Sequence, residues 1–99
     1  MHYEEIRSEG MVQLNIEGKI DAVSSDEFQT LVLASFTKTN CVIINLEKVT
    51  YMSSAGLRAL TLGDKTAKSK KGQLIIINVP EQVRDVFRVT GFDTILDIR

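Results

Sequence analysis

The chain has 99 residues, the size of one small domain, and carries 12 lysines and arginines against 13 aspartates and glutamates. A hydrophobic fraction of 43% and a charged fraction of 25% are ordinary for a folded domain, which excludes a disordered chain, a coiled coil and a collagen-like chain. The pI near 5.8 argues against nucleic acid as a partner, because nucleic-acid-binding domains are usually basic.

Location and metal binding can be judged from the terminus and the cysteine content. Residues 1–10 are acidic and amphipathic, so they do not resemble a signal peptide. The longest apolar runs are too short to cross a bilayer. The single cysteine, Cys41, forms no disulfide within the chain, and no Cys/His cluster is present for a metal. We therefore expect a soluble cytoplasmic protein that has no cofactor and does not insert into membranes.

The first predicted elements are a hairpin and a helix. Residues 3–7 are predicted as an edge strand, followed by a turn at 8–10 and a half-buried strand in which apolar residues alternate with polar ones. A helix is predicted over 24–37. Ser24 and Glu27 have the spacing of a capping box, and Val23 and Phe28 that of a hydrophobic staple. The predicted buried face consists of Phe28, Leu31, Val32 and Phe36.

The remaining elements alternate between strands and helices. Residues 41–46 and 73–78 are nearly continuous apolar runs, which predicts strands buried on both faces. Between them we expect a loop and then a helix with a face of mostly small residues, namely Gly56, Ala59, Leu60, Gly63 and Ala67. A last helix begins near Pro80 and ends at Gly91, and residues 94–98 are predicted as a closing strand.

This order of elements predicts one α/β domain. The sheet is expected to be mixed, with an antiparallel N-terminal hairpin and a parallel centre, and the helices are expected mainly on one face.

Enzymatic activity is not expected. The chain contains no nucleophile elbow, P-loop or dinucleotide-binding glycine motif. Its only histidine, His2, lies at the terminus, so no histidine base is available to activate a serine.

The most informative segment is YMSSAGLRAL, residues 51–60, where a predicted buried strand gives way to a helix. Local physical chemistry indicates that Ser53 or Ser54 is the N-cap of that helix, since a serine oxygen can accept from a free amide of the first turn. The residues alone do not choose between the two serines.

Three stretches, 18–28, 44–60 and 86–96, resemble the STAS domain of bacterial anti-sigma-factor antagonists, and the resemblance covers nearly the whole chain. Residues 1–99 are therefore expected to form one STAS domain. The family motif is a serine or threonine at the helix start, usually preceded by Asp and followed, after a small residue, by Gly-Leu. The matching residues are Ser54, Ala55, Gly56 and Leu57.

The resemblance implies a phosphorylation switch at Ser54. In the family, a GHKL-type serine kinase that is also the anti-sigma factor phosphorylates this serine, and a PP2C-type phosphatase reverses the reaction. The unphosphorylated antagonist binds the kinase and frees the sigma factor. Ser53 stands where the family usually has Asp and is a minor alternative acceptor. Asp21 matches an acidic residue that lies beside the site in the family.

The expected partner-binding residues surround this motif: Asp21, Tyr51, Ser53, Ser54, Ala55, Gly56, Leu57 and Arg58. An alternative function is a non-enzymatic STAS subunit or regulator of a transport or other signalling assembly. The sequence does not separate these two functions, because both use the same scaffold and the same face.

Overall fold

The computed structural model describes residues 1–99 as five strands, three α-helices and one 3₁₀-helix. The strands are β1 (His2–Ser8), β2 (Met11–Ile20), β3 (Cys41–Met52), β4 (Gln73–Ile77) and β5 (Asp97–Ile98). The helices are α1 (Ser25–Ser35), α2 (Ser54–Ser69) and α3 (Glu81–Thr90), with the 3₁₀-helix Phe92–Thr94 before β5. The predicted order of strands and helices is therefore confirmed.

The five strands form one sheet in the order β1-β2-β3-β4-β5. β1 is antiparallel to β2, and every other neighbouring pair is parallel. Because the parallel strands follow one another in chain order, right-handed crossovers place all three helices on the same face. Accordingly, Phe28 of α1, Leu60 of α2 and Phe87 of α3 belong to one hydrophobic core. The predicted mixed sheet with helices on one face is confirmed. None of the helices has the length and apolar character needed to cross a bilayer.

The opposite face of the sheet carries polar side chains that bond to one another across the strands. The Asn45 amide donates to the Asn15 side-chain oxygen at 3.0 Å, and the Asn15 amide donates to the Glu4 carboxylate at 3.0 Å. In residues 41–46 of β3, alternate residues are buried and the others only partly so. The prediction that residues 41–46 are buried on both faces is therefore wrong, because no helix covers this second face. The prediction fits β4 better, where residues 74–76 are all buried.

β3 is longer than predicted. It continues to Met52, so residues 47–52, expected as a loop, belong to the sheet. The pairing of β2 with β3 shifts register twice between Asn15 and Lys19, and each shift places one extra residue in β3. The buried positions of this part of β3 are consequently 46, 49 and 52, three residues apart. For that reason the sequence of this segment lacks the alternation of apolar and polar residues that predicts a strand.

The small residues of α2 bring it close to its neighbours, as predicted. All five residues of its predicted face are buried. A Cβ atom added to Gly63 would lie 2.7 Å from Val32 Cγ1 of α1, so only glycine allows this separation.

The end of the chain is only partly as predicted. Gly91 ends α3 in the left-handed conformation with φ of 77°, as its position predicts. Of the predicted closing strand at 94–98, only Asp97–Ile98 pairs with β4, because residues 92–94 form the 3₁₀-helix.

Candidate functional site

The junction between β3 and α2 places the two serines in different environments. Ser53 has an extended backbone with φ −82° and ψ 166°, and its Oγ accepts a hydrogen bond from the Gly56 N–H at 3.1 Å. Ser53 is therefore the N-cap of α2. Of the two alternatives that the sequence left open, the structure selects Ser53.

Ser54 is the first residue of α2 and is exposed. Its hydroxyl forms no hydrogen bond within the chain, whereas the Ser53 oxygen is engaged with the helix. A reagent or enzyme in solution can reach the Ser54 hydroxyl without breaking an intramolecular interaction.

A backbone hydrogen bond connects this junction to the end of β2. The Ser53 N–H donates to the Ile20 carbonyl oxygen at 2.8 Å, extending the parallel pairing of β2 with β3 by one bond. Asp21 follows Ile20 and begins a turn, residues 21–24, which we call the Asp21 turn. This turn lies next to the start of α2. The structure thus brings together Asp21 and the serine pair, which are 32 or more residues apart in the chain.

Asp21 and Ser24 form a reciprocal cap at the start of the turn that leads into α1. The Asp21 Oδ1 accepts from the N–H groups of Val23 and Ser24, at 3.0 and 2.9 Å. In return, the Ser24 Oγ accepts from the Asp21 N–H at 3.0 Å. This is a capping box that begins three residues before the predicted one.

The predicted cap and staple of α1 are both wrong for this reason. Ser24 has helical dihedral angles of φ −86° and ψ −10° and makes no side-chain cap to α1. Its hydroxyl is engaged with Asp21. Val23, expected to pack against Phe28, is 90% exposed. As a result α1 spans 25–35, within the predicted 24–37.

The same contacts set the charge of Asp21. Hydrogen bonds from the backbone N–H and the hydroxyl of Ser24 stabilise the carboxylate and hold the pKa of Asp21 below its ordinary value. Asp21 therefore carries a full negative charge at neutral pH, at the edge of the junction that contains Ser54.

The site is an open surface. One surface cavity, of about 380 Å³, is lined by residues of β1, β2 and β3. Another, of about 490 Å³, is lined by residues of β1 and α1 together with Lys38. Neither is lined by any predicted site residue.

The comparisons with known proteins agree with this geometry. Residues 3–99 match the model of the STAS domain. The chain belongs to the STAS domain family. It is 30% identical over 92 residues to the anti-sigma-B factor antagonist of Bacillus subtilis, covering 93% of this chain and 84% of that protein.

Solved structures share the fold of this STAS domain. An anti-sigma factor antagonist from Mycobacterium paratuberculosis superposes with a TM-score of 0.86 at 18% identity, covering 98% of this chain and 83% of that one. The phosphorylated form of the Bacillus cell fate determinant SpoIIAA superposes with a TM-score of 0.76 at 16% identity, covering 99% and 91%.

The predicted partner-binding residues of this STAS domain divide into exposed and buried side chains. Tyr51 is 50% exposed, and Ser54 and Arg58 are also exposed. By contrast, Gly56 and Leu57 are buried, with Leu57 only 1% exposed. Their contribution is to hold α2 against the core. Ala55, Ser53 and Asp21 are partly buried.

Val23 is a surface residue that the sequence did not indicate. Assigning it to a staple implied burial, whereas it lies in the Asp21 turn with nine-tenths of its side chain in solvent. An exposed valine in the turn next to the start of α2 adds apolar surface near the site. The signal that could have indicated this is Asp21 itself, since an aspartate three residues before Ser24 can also begin a capping box.

Proposed function

We propose that this STAS domain is an anti-sigma-factor antagonist controlled by phosphorylation of Ser54. In its unphosphorylated form it binds a GHKL-type serine kinase that also acts as the anti-sigma factor, and the sigma factor is released in the cytoplasm. Phosphorylation by that kinase ends the binding, and a PP2C-type phosphatase restores it. The chain itself acts by binding and performs no catalysis.

The observation that supports Ser54 as the acceptor is its contrast with Ser53. The Ser54 hydroxyl is exposed and unbonded at the start of α2, whereas the Ser53 oxygen accepts from Gly56 N–H. A kinase that uses Ser53 has to break the helix cap first. The solved phosphorylated form of SpoIIAA, which shares this fold, supports a modification of this kind.

Electrostatics explains how the modification would stop binding without unfolding the domain. A phosphate adds about −1.5 to −2 charges at neutral pH. The first turn of α2 has no acidic residue, and a helix N-terminus favours negative charge, so the fold tolerates the phosphate. A partner packed over the site has to desolvate that charge together with ionised Asp21. A loss of about 3 kcal/mol in binding free energy weakens affinity more than a hundredfold.

Phosphate mapping tests the proposal. The chain is incubated with ATP and its cognate GHKL-type kinase, and the product is analysed by tandem mass spectrometry. We expect one phosphate, located on Ser54. Ser54→Ala should abolish the modification, and Ser53→Ala, checked for folding by circular dichroism, should retain it. Modification of Ser53 alone, or normal modification of Ser54→Ala, would overturn the assignment.

A further inference from the structure

Arg58 lies one helical turn after Ser54, at the i+4 position of α2. Residues at this spacing are neighbours on the helix surface, and helical side chains lean towards the N-terminus. The Arg58 side chain is therefore directed over the turn that begins with Ser54. Both side chains are exposed, so no other part of the chain lies between them and solvent.

Arg58 has no anionic partner in the unmodified chain. The five ion pairs of the structure involve other cations, namely Arg7, Lys38, Lys68, Arg88 and Arg99. The positions one turn away from Arg58 on α2 are Ser54, Ala55, Thr61 and Leu62, none of which carries a charge. In the turn that follows β2, Asp21 takes part in none of these ion pairs, and its Oδ1 accepts from the N–H groups of Val23 and Ser24.

We propose that Arg58 binds the phosphate of phosphorylated Ser54 within the same chain, so that the modification withdraws Arg58 from the surface offered to the partner. A guanidinium group can donate two parallel hydrogen bonds to phosphate oxygens, which makes arginine the side chain best suited to this contact. This inference rests on the proposed function, because it requires a phosphate at Ser54.

With this contact, phosphorylation would weaken partner binding in two ways: by adding a repulsive charge and by removing an attractive contact. In the unmodified chain Arg58 is free to pair with a carboxylate of the partner, which contributes to affinity and to the association rate. After phosphorylation, the same guanidinium is held by the phosphate one turn away. The partner then loses an attractive contact and meets a negative charge at the same place.

Phosphorus NMR tests the contact without any kinase. Phosphoserine is introduced at position 54 during translation, in the native chain and in Arg58→Gln, Arg58→Lys and Arg84→Gln, and the second ionisation of the phosphate is followed against pH. Arg84 is an exposed arginine of α3 that forms no ion pair, so its variant is the matched control. Lys19 and Asp21, the charged residues on either side of Ile20 at the end of β2, are the same in all four proteins.

We expect Arg58→Gln to raise the pKa of the phosphate by about one unit, since it removes a cation that stabilises the dianion. Arg58→Lys should restore most of the native value, and Arg84→Gln should leave it unchanged. Equal phosphate pKa values in the native chain and Arg58→Gln would overturn the inference.

A binding measurement tests the second half of the inference. For the GHKL-type kinase, unmodified Arg58→Gln should bind about tenfold more weakly than the native chain, and the ratio of affinities between unmodified and phosphorylated forms should shrink. If this ratio is the same in Arg58→Gln as in the native chain, phosphorylation does not withdraw Arg58 from the partner. These results remain separable from the proposed function: a kinase that does not modify Ser54 contradicts the function, whereas the phosphorus titration reports on Arg58 in either case.

Discussion

The Ser53 N–H and the Ile20 carbonyl oxygen are joined by a hydrogen bond of 2.8 Å between the last residue of β2 and the residue that follows β3. This bond fixes the Asp21 turn against the first turn of α2, and each of the two turns is closed by its own side-chain cap. A rigid presentation of the exposed Ser54 follows, because the backbone on both sides of the junction is bonded.

The two serines should differ in their contribution to stability. Ser53→Ala removes the acceptor of the Gly56 N–H and should lower the free energy of unfolding by about 0.5–2 kcal/mol. Ser54→Ala removes an unbonded hydroxyl and should change it by no more than about 0.5 kcal/mol. Urea denaturation of both variants measures the difference. A larger loss for Ser54→Ala would contradict the assignment of Ser53 as the cap.

Asp21 should contribute stability that depends on pH. Its pKa is lowered in the folded state, so its stabilising contribution is complete above the pKa of the unfolded chain and is lost as pH falls through the lowered value. The native chain should therefore lose more stability in acid, below about pH 4, than Asp21→Asn does. The comparison requires urea denaturation of both proteins across that range.

A matched control for the Asp21 experiment is Glu9→Gln, in the exposed turn between β1 and β2. This variant should follow the acid dependence of the native chain. If Asp21→Asn follows the native curve as closely as Glu9→Gln does, the reciprocal cap with Ser24 does not depend on the charge of Asp21.

Gly56→Ala should destabilise the protein, although alanine is the better helix former. The added Cβ would lie 2.5 Å from Met52 Sδ and 2.9 Å from Ile20 Cγ2, which is closer than packed atoms approach. We expect a loss of about 1–3 kcal/mol from this overpacking. At an uncrowded helical position the same change stabilises by about 0.5–1 kcal/mol. The sign of the stability change therefore decides whether Gly56 is crowded by Met52 and Ile20. Lys65→Ala, on the exposed side of α2, is the control and should be near neutral.

Val23 should contribute to partner binding and not to stability. It is 90% exposed in the Asp21 turn, and Val89 on α3 is 88% exposed, so the two valines form a matched pair. Val23→Ser and Val89→Ser should each alter stability by less than about 0.5 kcal/mol. Only Val23→Ser should weaken binding of the GHKL-type kinase, by about fivefold or more, because it removes apolar surface from the turn next to the start of α2.

Titration calorimetry of the unphosphorylated proteins measures this difference. Equal affinities for the two valine variants would remove the Asp21 turn from the docking surface, and weaker binding of Val89→Ser alone would move that surface to α3.

Much of the fold was predictable because its signals are local. The alternation of apolar residues in β2, the small residues of α2 and the Pro80–Gly91 pair each record an environment within a few residues. With the strands neighbouring one another in chain order, the side on which the helices pack then follows from the handedness of crossovers.

The predictions were wrong where pairing between distant segments of the chain determines the local structure. Whether residues 47–52 form a strand depends on two register shifts opposite β2, about 30 residues earlier in the chain, and these shifts change the spacing of buried positions from two to three. Similarly, two overlapping capping boxes are available before α1. The structure uses the one that begins at Asp21, where β2 ends beside the junction.

The sequence by itself determined that this is a small α/β domain with a serine motif at a strand–helix junction, because residue type and spacing carry that information. Only the tertiary structure decided which serine caps the helix, that Gly56 and Leu57 are buried while Arg58 and Val23 are exposed, and that Asp21 lies at the same edge. These outcomes depend on hydrogen bonds and packing between segments far apart in the chain, and one such bond, from Ser53 to Ile20, assembles the site.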